Sequence, residues 1–107
     1  MTIDHDLITE PSWVRLTALE GTEAAVELAI GATIAQVLPG LRAEDGFRRL
    51  VALKSADRRR AIVLTFWDRA AAVAEGGVGA FRGRAAQLGV SITETDLLEL
   101  VAQEPVE

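Results

Sequence analysis

The chain has 107 residues, enough for one domain with its own core. Half of the residues are hydrophobic and the net charge is −5, so the composition is that of a globular protein without a general basic footprint for nucleic acid. The absence of cysteine excludes disulfides, thiolate nucleophiles and thiolate metal sites. No apolar run is predicted as a membrane span, and the N-terminal residues lack the pattern of a signal peptide. We therefore expect a cytoplasmic protein with neither a nucleic-acid nor a membrane partner, and its arginine-rich, alanine-rich composition fits a GC-rich bacterial genome.

Residues 1–11 are polar, end at Pro11 and are predicted to form an N-terminal arm, with a single domain over residues 12–107. His5 in this arm stands between Asp4 and Asp6, and all three side chains can coordinate a metal ion. Adjacent residues in a flexible arm do not preorganise a coordination shell, so we expect no metal site.

The first strand is predicted over residues 12–20, followed by a helix from residue 22 to about residue 38. Thr22 is a good N-cap, and the apolar stripe of the helix recurs at three- and four-residue steps. Pro39 is predicted to end this helix, because proline cannot continue one. The stripe consists of Val26, Ile30, Ile34, Val37 and Leu41.

The second and third strands are predicted from Phe47 onward and over residues 60–68, joined by a hairpin connection at residues 55–59. Side chains on a strand alternate between two faces, and both faces of the third strand are largely apolar. We predict that the larger set faces the helices and that the smaller set faces away from them. The larger set is Ile62, Leu64 and Phe66, and the smaller set is Ala61, Val63, Thr65 and Trp67.

A second helix is predicted over residues 68–88, interrupted by glycines at residues 76–79, and a fourth strand over residues 92–103. The element order is βαββαβ, which predicts a ferredoxin-like α+β fold with a four-stranded antiparallel sheet and two helices on one face. The other face would be left bare. A homodimer that packs the two bare faces together, closing a barrel between the subunits, would remove that exposure.

Three stretches carry a resemblance to a known family: PGLRAEDGF after the first helix, VLTFWD at the end of the hairpin, and the alanine-rich second helix. With them the chain resembles the dimeric α/β-barrel superfamily, and within it the antibiotic biosynthesis monooxygenase-like group, from about residue 12 to residue 103. Trp67 matches the strand-three tryptophan that haem-degrading and quinone-forming members place in the barrel interior. The resemblance implies a barrel pocket and a cofactor-independent oxygenase-like activity, and we expect no cofactor.

The chain departs from the best-known chemistries of that superfamily. Haem-degrading relatives use an asparagine on strand one and a histidine on helix two, whereas this chain has no asparagine and only His5. Haem degradation is therefore disfavoured. Polyketide-oxidising relatives tend to add tyrosine, which is also absent.

The predicted ligand pocket consists of Trp13, Arg15, Thr17, Val63, Thr65 and Trp67. Trp67 is either packing at the dimer interface or a pocket wall. Arg15 and Thr17 either orient an anionic or carbonyl-bearing ligand, or Arg15 pairs with a carboxylate across the dimer such as Glu99.

No catalytic residue is assigned. Of the remaining polar candidates beside Trp67, which are Glu99, Arg48 and Arg49, none is a persuasive general base. Two functional classes stay open: a cofactor-independent oxygenase-like enzyme acting on a small, largely apolar or aromatic ligand, and a non-catalytic ligand-binding or interaction module.

Overall fold

The structure is a computed structural model that describes residues 13–68 and 85–102. In this part of the chain an antiparallel sheet contains β1 (Trp13–Glu20), β2 (Phe47–Lys54), β3 (Arg60–Trp67) and β4 (Ser91–Glu99), in the spatial order β2-β3-β1-β4. The predicted ferredoxin-like α+β fold is confirmed. The N-terminal arm, His5 and the glycine-interrupted part of the second helix lie outside the described residues, although residues 85–88 are helical.

The two central strands, β1 and β3, carry the residues of the predicted pocket. Their register pairs Trp13 with Trp67 and Arg15 with Thr65. Directly opposed residues of an antiparallel pair project from the same face of the sheet. The sheet therefore has two sets of side chains on these strands. One set is Trp13, Arg15, Thr17 and Leu19 with Ala61, Val63, Thr65 and Trp67; the other is Val14, Leu16 and Ala18 with Ile62, Leu64 and Phe66.

The first set packs against the helices, which contradicts the predicted orientation of β3. Ala61 and Leu19 lie in one buried cluster with Val26 and Ala29 of the helix that follows β1. We call this side the helix-covered face and the side of Ile62, Leu64 and Phe66 the open face. The prediction failed because it assumed that the larger residues face the helix. Alanines on both elements instead allow close packing, and Ile62 is left 36% exposed.

Helical structure between β1 and β2 is continuous over three segments: α1 (Glu23–Ala32), a π-helical turn (Thr33–Val37) and α2 (Leu38–Arg42). Thr22 caps α1 as predicted, accepting a 3.1 Å hydrogen bond from the Ala25 backbone N–H. The prediction that Pro39 ends the helix is wrong. The π turn, in which the Leu38 N–H donates to the Thr33 carbonyl, places Pro39 in the first turn of α2, where its missing N–H costs little.

The helical run Glu23–Arg42 has 20 residues and a mean hydropathy of 1.5, so its length and composition would suit a membrane span. This finding differs from the prediction that the chain contains no apolar run as long as a membrane span. A core helix of a globular domain meets the same criteria, and in this run Ala25, Val26 and Ala29 are buried. The observation is therefore weak evidence for a membrane location.

Two exposed carboxylates, those of Glu27 and Asp57, accept hydrogen bonds that stabilise the fold. Lys54 Nζ donates to Glu27 Oε1 at 2.7 Å, which joins β2 to α1 and holds the pKa of Glu27 below its usual value. In the hairpin, Asp57 Oδ1 accepts from the Ser55 hydroxyl at 2.6 Å and from the Arg59 backbone N–H at 3.0 Å. These bonds lower the pKa of Asp57. The stability that its carboxylate contributes to the turn is therefore fully present above its ordinary pKa and is lost as the pH falls through the lowered pKa.

Candidate ligand site on the helix-covered face

All of the predicted pocket residues lie together on the helix-covered face. The register sets the two tryptophans opposite each other, then Arg15 opposite Thr65, then Thr17 opposite Val63. This arrangement follows from the period of two along both strands. The pocket was, however, predicted on the side away from the helices, inside a barrel between two subunits. That location is wrong for these side chains, because their face packs against α1, the π turn and α2.

Trp67 is the most enclosed aromatic side chain in the described part of the chain, at 1% exposure. Its indole lies in a cluster with Leu41 of α2 and Val37 of the π turn. Phe47 meets it edge to face, with ring centroids 5.2 Å apart and an interplanar angle of 72°. Trp67 thus forms a rigid, apolar end of the site.

The indole N–H of Trp67 donates to Thr65 Oγ1 at 2.9 Å. This bond satisfies the one polar atom of a buried indole and fixes the orientation of the ring. A threonine hydroxyl can accept and donate at the same time. The Thr65 O–H therefore remains able to donate to a ligand beside Trp67.

Arg15 brings a permanent positive charge to this face. The side chain is half-buried, and its Nε is enclosed with no hydrogen-bond partner among the described residues. Its cross-strand neighbours are Thr65 on β3 and Leu97 on β4, neither of which is an anion. Glu99, which was predicted to pair with Arg15 across a dimer, lies opposite Trp13 within the chain and is exposed, and its pairing with a second subunit stays a prediction.

The other arginines considered for the site lie elsewhere. Arg48 forms a 3.1 Å ion pair with Asp68, and both groups are partly exposed. Arg49 places its guanidinium 4.5 Å from the centre of the Phe66 ring, on the open face. Neither is positioned beside Arg15 and Thr65, and no general base stands in the described part of the site.

The sequence did not identify three residues that enclose Trp67, which are Val37, Leu41 and Phe47. The sequence did contain a signal for Val37 and Leu41. The apolar stripe of the first helix continues through Val37 to Leu41, past the proline that was predicted to end it. That continuation indicates a helix that accommodates Pro39, and π turns of this kind are frequent beside functional sites.

No protein-family model and no curated protein sequence matches the chain. Among solved structures it is similar to a monooxygenase from the gene ActVA-Orf6 of Streptomyces coelicolor, in complex with the ligand nanaomycin D. The TM-score is 0.71 and the identity 13%, over 90% of this chain and 91% of that one. It is also similar to SnoaB, a cofactor-independent oxygenase from Streptomyces nogalater, with a TM-score of 0.59 and 15% identity over 90% and 97% of the two chains.

A third similar structure is a dimeric ferredoxin-like protein from an uncultured marine organism, with a TM-score of 0.59 and 15% identity over 92% and 95% of the two chains. Each likeness extends over almost the whole of both chains. At these identities the likeness is one of fold. The chain therefore has the ferredoxin-like fold found in antibiotic biosynthesis monooxygenase-like proteins, as its sequence predicted.

Proposed function

We propose that this protein is a homodimer that binds a small, largely apolar aromatic ligand on the helix-covered face and oxidises it without a cofactor. The observation that carries the proposal is the placement of Arg15 and Thr65 next to the paired Trp13 and Trp67. A few polar groups within an aromatic surface are typical of small-molecule sites, where the apolar part supplies affinity and the polar part orientation.

Oxygenation is the favoured chemistry because it needs little from the protein when the substrate is electron-rich. A phenol with a free ring position can supply the electrons itself. One atom of O₂ enters the ring, the other leaves as water, and a quinone results. The two oxygenases with this fold, one of them described as cofactor-independent, support this choice. The protein's part would be to bind and orient the phenol, since no catalytic residue is assigned.

Oxygen consumption tests the proposal. The purified protein, without added metal or cofactor, is mixed with 1,5-dihydroxynaphthalene in air-saturated buffer. We expect uptake of one O₂ for each hydroxynaphthoquinone formed, followed with an oxygen electrode and by quinone absorbance. The Thr65→Val variant should be slower, because it removes the hydroxyl while keeping the shape. The Thr93→Val variant is the matched control, because Thr93 is exposed at the other end of the sheet on β4.

Binding without protein-dependent oxygen uptake would contradict the oxygenase and favour the second candidate, a non-catalytic ligand-binding module. That alternative rests on the lack of a general base in the described part of the site. If the protein neither bound nor oxidised 1,5-dihydroxynaphthalene, the ligand site would be contradicted as well.

The homodimer is proposed from the open face. Leu53 of β2, the cross-strand partner of Ile62, is 50% exposed there, and Leu98 of β4 is 42% exposed. A groove of about 420 Å³ runs across the hairpin end of the sheet, with Ala18, Leu53 and Ile62 among its lining residues. A second copy packed on this face would remove large apolar groups from water, at roughly 1.5–3 kcal/mol for each one fully buried. The dimeric ferredoxin-like structure is consistent with such an assembly. A cytoplasmic location stays a prediction.

A further inference from the structure

Arg15 is the one charged side chain on the helix-covered face of the two central strands. The residues around it are Trp13 and Thr17 on the same strand, Thr65 on β3 and Leu97 on β4. An arginine carries five N–H donors, a positive charge and no acceptor. Charged side chains with enclosed polar atoms are normally paired.

This arginine is not satisfied by the described protein. Its Nε is shielded from solvent and has no acceptor within hydrogen-bonding distance in residues 13–68 and 85–102. Threonine and tryptophan neighbours cannot neutralise a guanidinium. An enclosed donor that has lost water without gaining an acceptor is destabilising, so a ligand that brings an acceptor to Arg15 would gain binding free energy there.

We propose that Arg15 binds an anionic oxygen on the aromatic ligand, either a carboxylate or an ionised phenol. This inference rests on the proposed ligand site and specifies the charge of the molecule that occupies it. The planar fork of a guanidinium matches two oxygens of a carboxylate, or one phenolate oxygen through two N–H donors. Thr65, whose hydroxyl already accepts from Trp67, can donate a further hydrogen bond to the same oxygen.

Arg15 would also change the ionisation of a bound phenol. An opposite charge within a few ångströms favours the ionised form, so a phenol bound at Arg15 would lose its proton to solvent at a lower pH than it does in water. The phenolate is more electron-rich than the phenol. Arg15 would therefore favour the form of the substrate that reacts with oxygen in the proposed function.

Calorimetric titration with two matched probes tests the inference. The probes are 2-naphthoate, which is anionic at neutral pH, and 2-naphthamide, which has nearly the same shape and no charge. We expect the wild-type protein to bind the naphthoate about tenfold or more tightly than the naphthamide. The Arg15→Gln variant should bind both with similar affinity. The Arg15→Lys variant, which keeps the charge without the fork, should retain part of the preference.

The control variant is Arg42→Gln, which removes an exposed arginine at the end of α2 and should keep the wild-type preference. A second arm uses 4-nitrophenol, whose ionised form is read directly by absorbance. Its apparent pKa when bound should fall by about one unit or more in the wild type and be restored in Arg15→Gln. A shift with 4-nitrophenol but no preference for naphthoate would assign the site to phenolates, and the reverse would assign it to carboxylates.

The possible failures are distinguishable. Equal binding of naphthoate and naphthamide by the wild type, with no shift of the nitrophenol, would overturn the role of Arg15 and leave the ligand site intact. Retention of the preference in Arg15→Gln would also overturn it. Binding of none of the probes would overturn both this inference and the ligand site on which it rests.

Discussion

Replacing Trp67 with alanine is expected to lower the free energy of unfolding by about 3–5 kcal/mol. The indole is 1% exposed, lies in a cluster with Leu41 and Val37, and meets Phe47 in an edge-to-face arrangement. Alanine would leave a cavity that the rigid sheet and the helical run cannot close, and it would leave Thr65 without its indole partner. Urea denaturation followed by circular dichroism, at one fixed protein concentration, measures the change.

The Trp13→Ala variant is the matched control. Trp13 lies directly opposite Trp67 in the sheet but is only half-buried, so its loss should cost clearly less. Because Trp67 belongs to the helix-covered face, Trp67→Ala should change the dissociation constant of the proposed dimer little. A loss below about 1 kcal/mol, or a weakened dimer with unchanged stability of the fold, would contradict the placement of this ring.

Introducing two arginines on the open face is expected to dissociate the proposed dimer. Leu53 and Ile62 are cross-strand partners there, 50% and 36% exposed in the single chain. The Leu53→Arg/Ile62→Arg variant would bring unpaired charges and their desolvation cost into the interface, which amounts to several kcal/mol. Light scattering at micromolar concentration should give close to twice the chain mass for the wild type and the mass of one chain for the variant.

A matched pair on the opposite side of the molecule controls for the introduced charge. Leu28 and Ile34, in α1 and the π turn, are 61% and 50% exposed. The Leu28→Arg/Ile34→Arg variant should remain dimeric. A monomeric wild type, or dissociation by the control pair and not by the open-face pair, would refute the proposed interface.

The strands and the hairpin could be predicted because their signals are local. Alternation along residues 60–68 and the turn residues at positions 55–59 specify β3 and its pairing with β2, and the structure has β3 at Arg60–Trp67. Thr22 likewise marks the start of α1 through its own side chain. The element order then leaves few topologies, of which the ferredoxin-like one is observed.

The orientation of the sheet could not be read from alternation, because both faces of β3 are apolar. Side-chain size was used to choose between them, and it favoured the wrong face. What decides the orientation is the fit between elements. Ala25 and Ala29 of α1 lie in the same buried cluster as Ala61, so the smaller set suits a close helix. Pro39 was misinterpreted for a similar reason, since the π turn that accommodates it depends on the geometry of the preceding residues.

The candidate site residues were predicted to share one face of the sheet, and they do, but that face was assigned to the wrong side; their role as a ligand site stays a prediction. Pairing of the two central strands by period two brings Arg15, Thr65 and the two tryptophans together whichever face they occupy. Whether that face meets a helix or a second subunit is a tertiary property that no local pattern encodes. The unsatisfied Nε of Arg15, from which the anionic ligand is proposed, also becomes visible only when its neighbours are known.

A crystal structure of the protein with bound 2-naphthoate tests the central claim most directly. We expect the ring to lie on the helix-covered face, with a carboxylate oxygen about 3 Å from a guanidinium nitrogen of Arg15 and within reach of the Thr65 hydroxyl. Naphthoate bound instead in the open-face groove beside Leu53 and Ile62, with Arg15 still lacking an acceptor, would contradict the account.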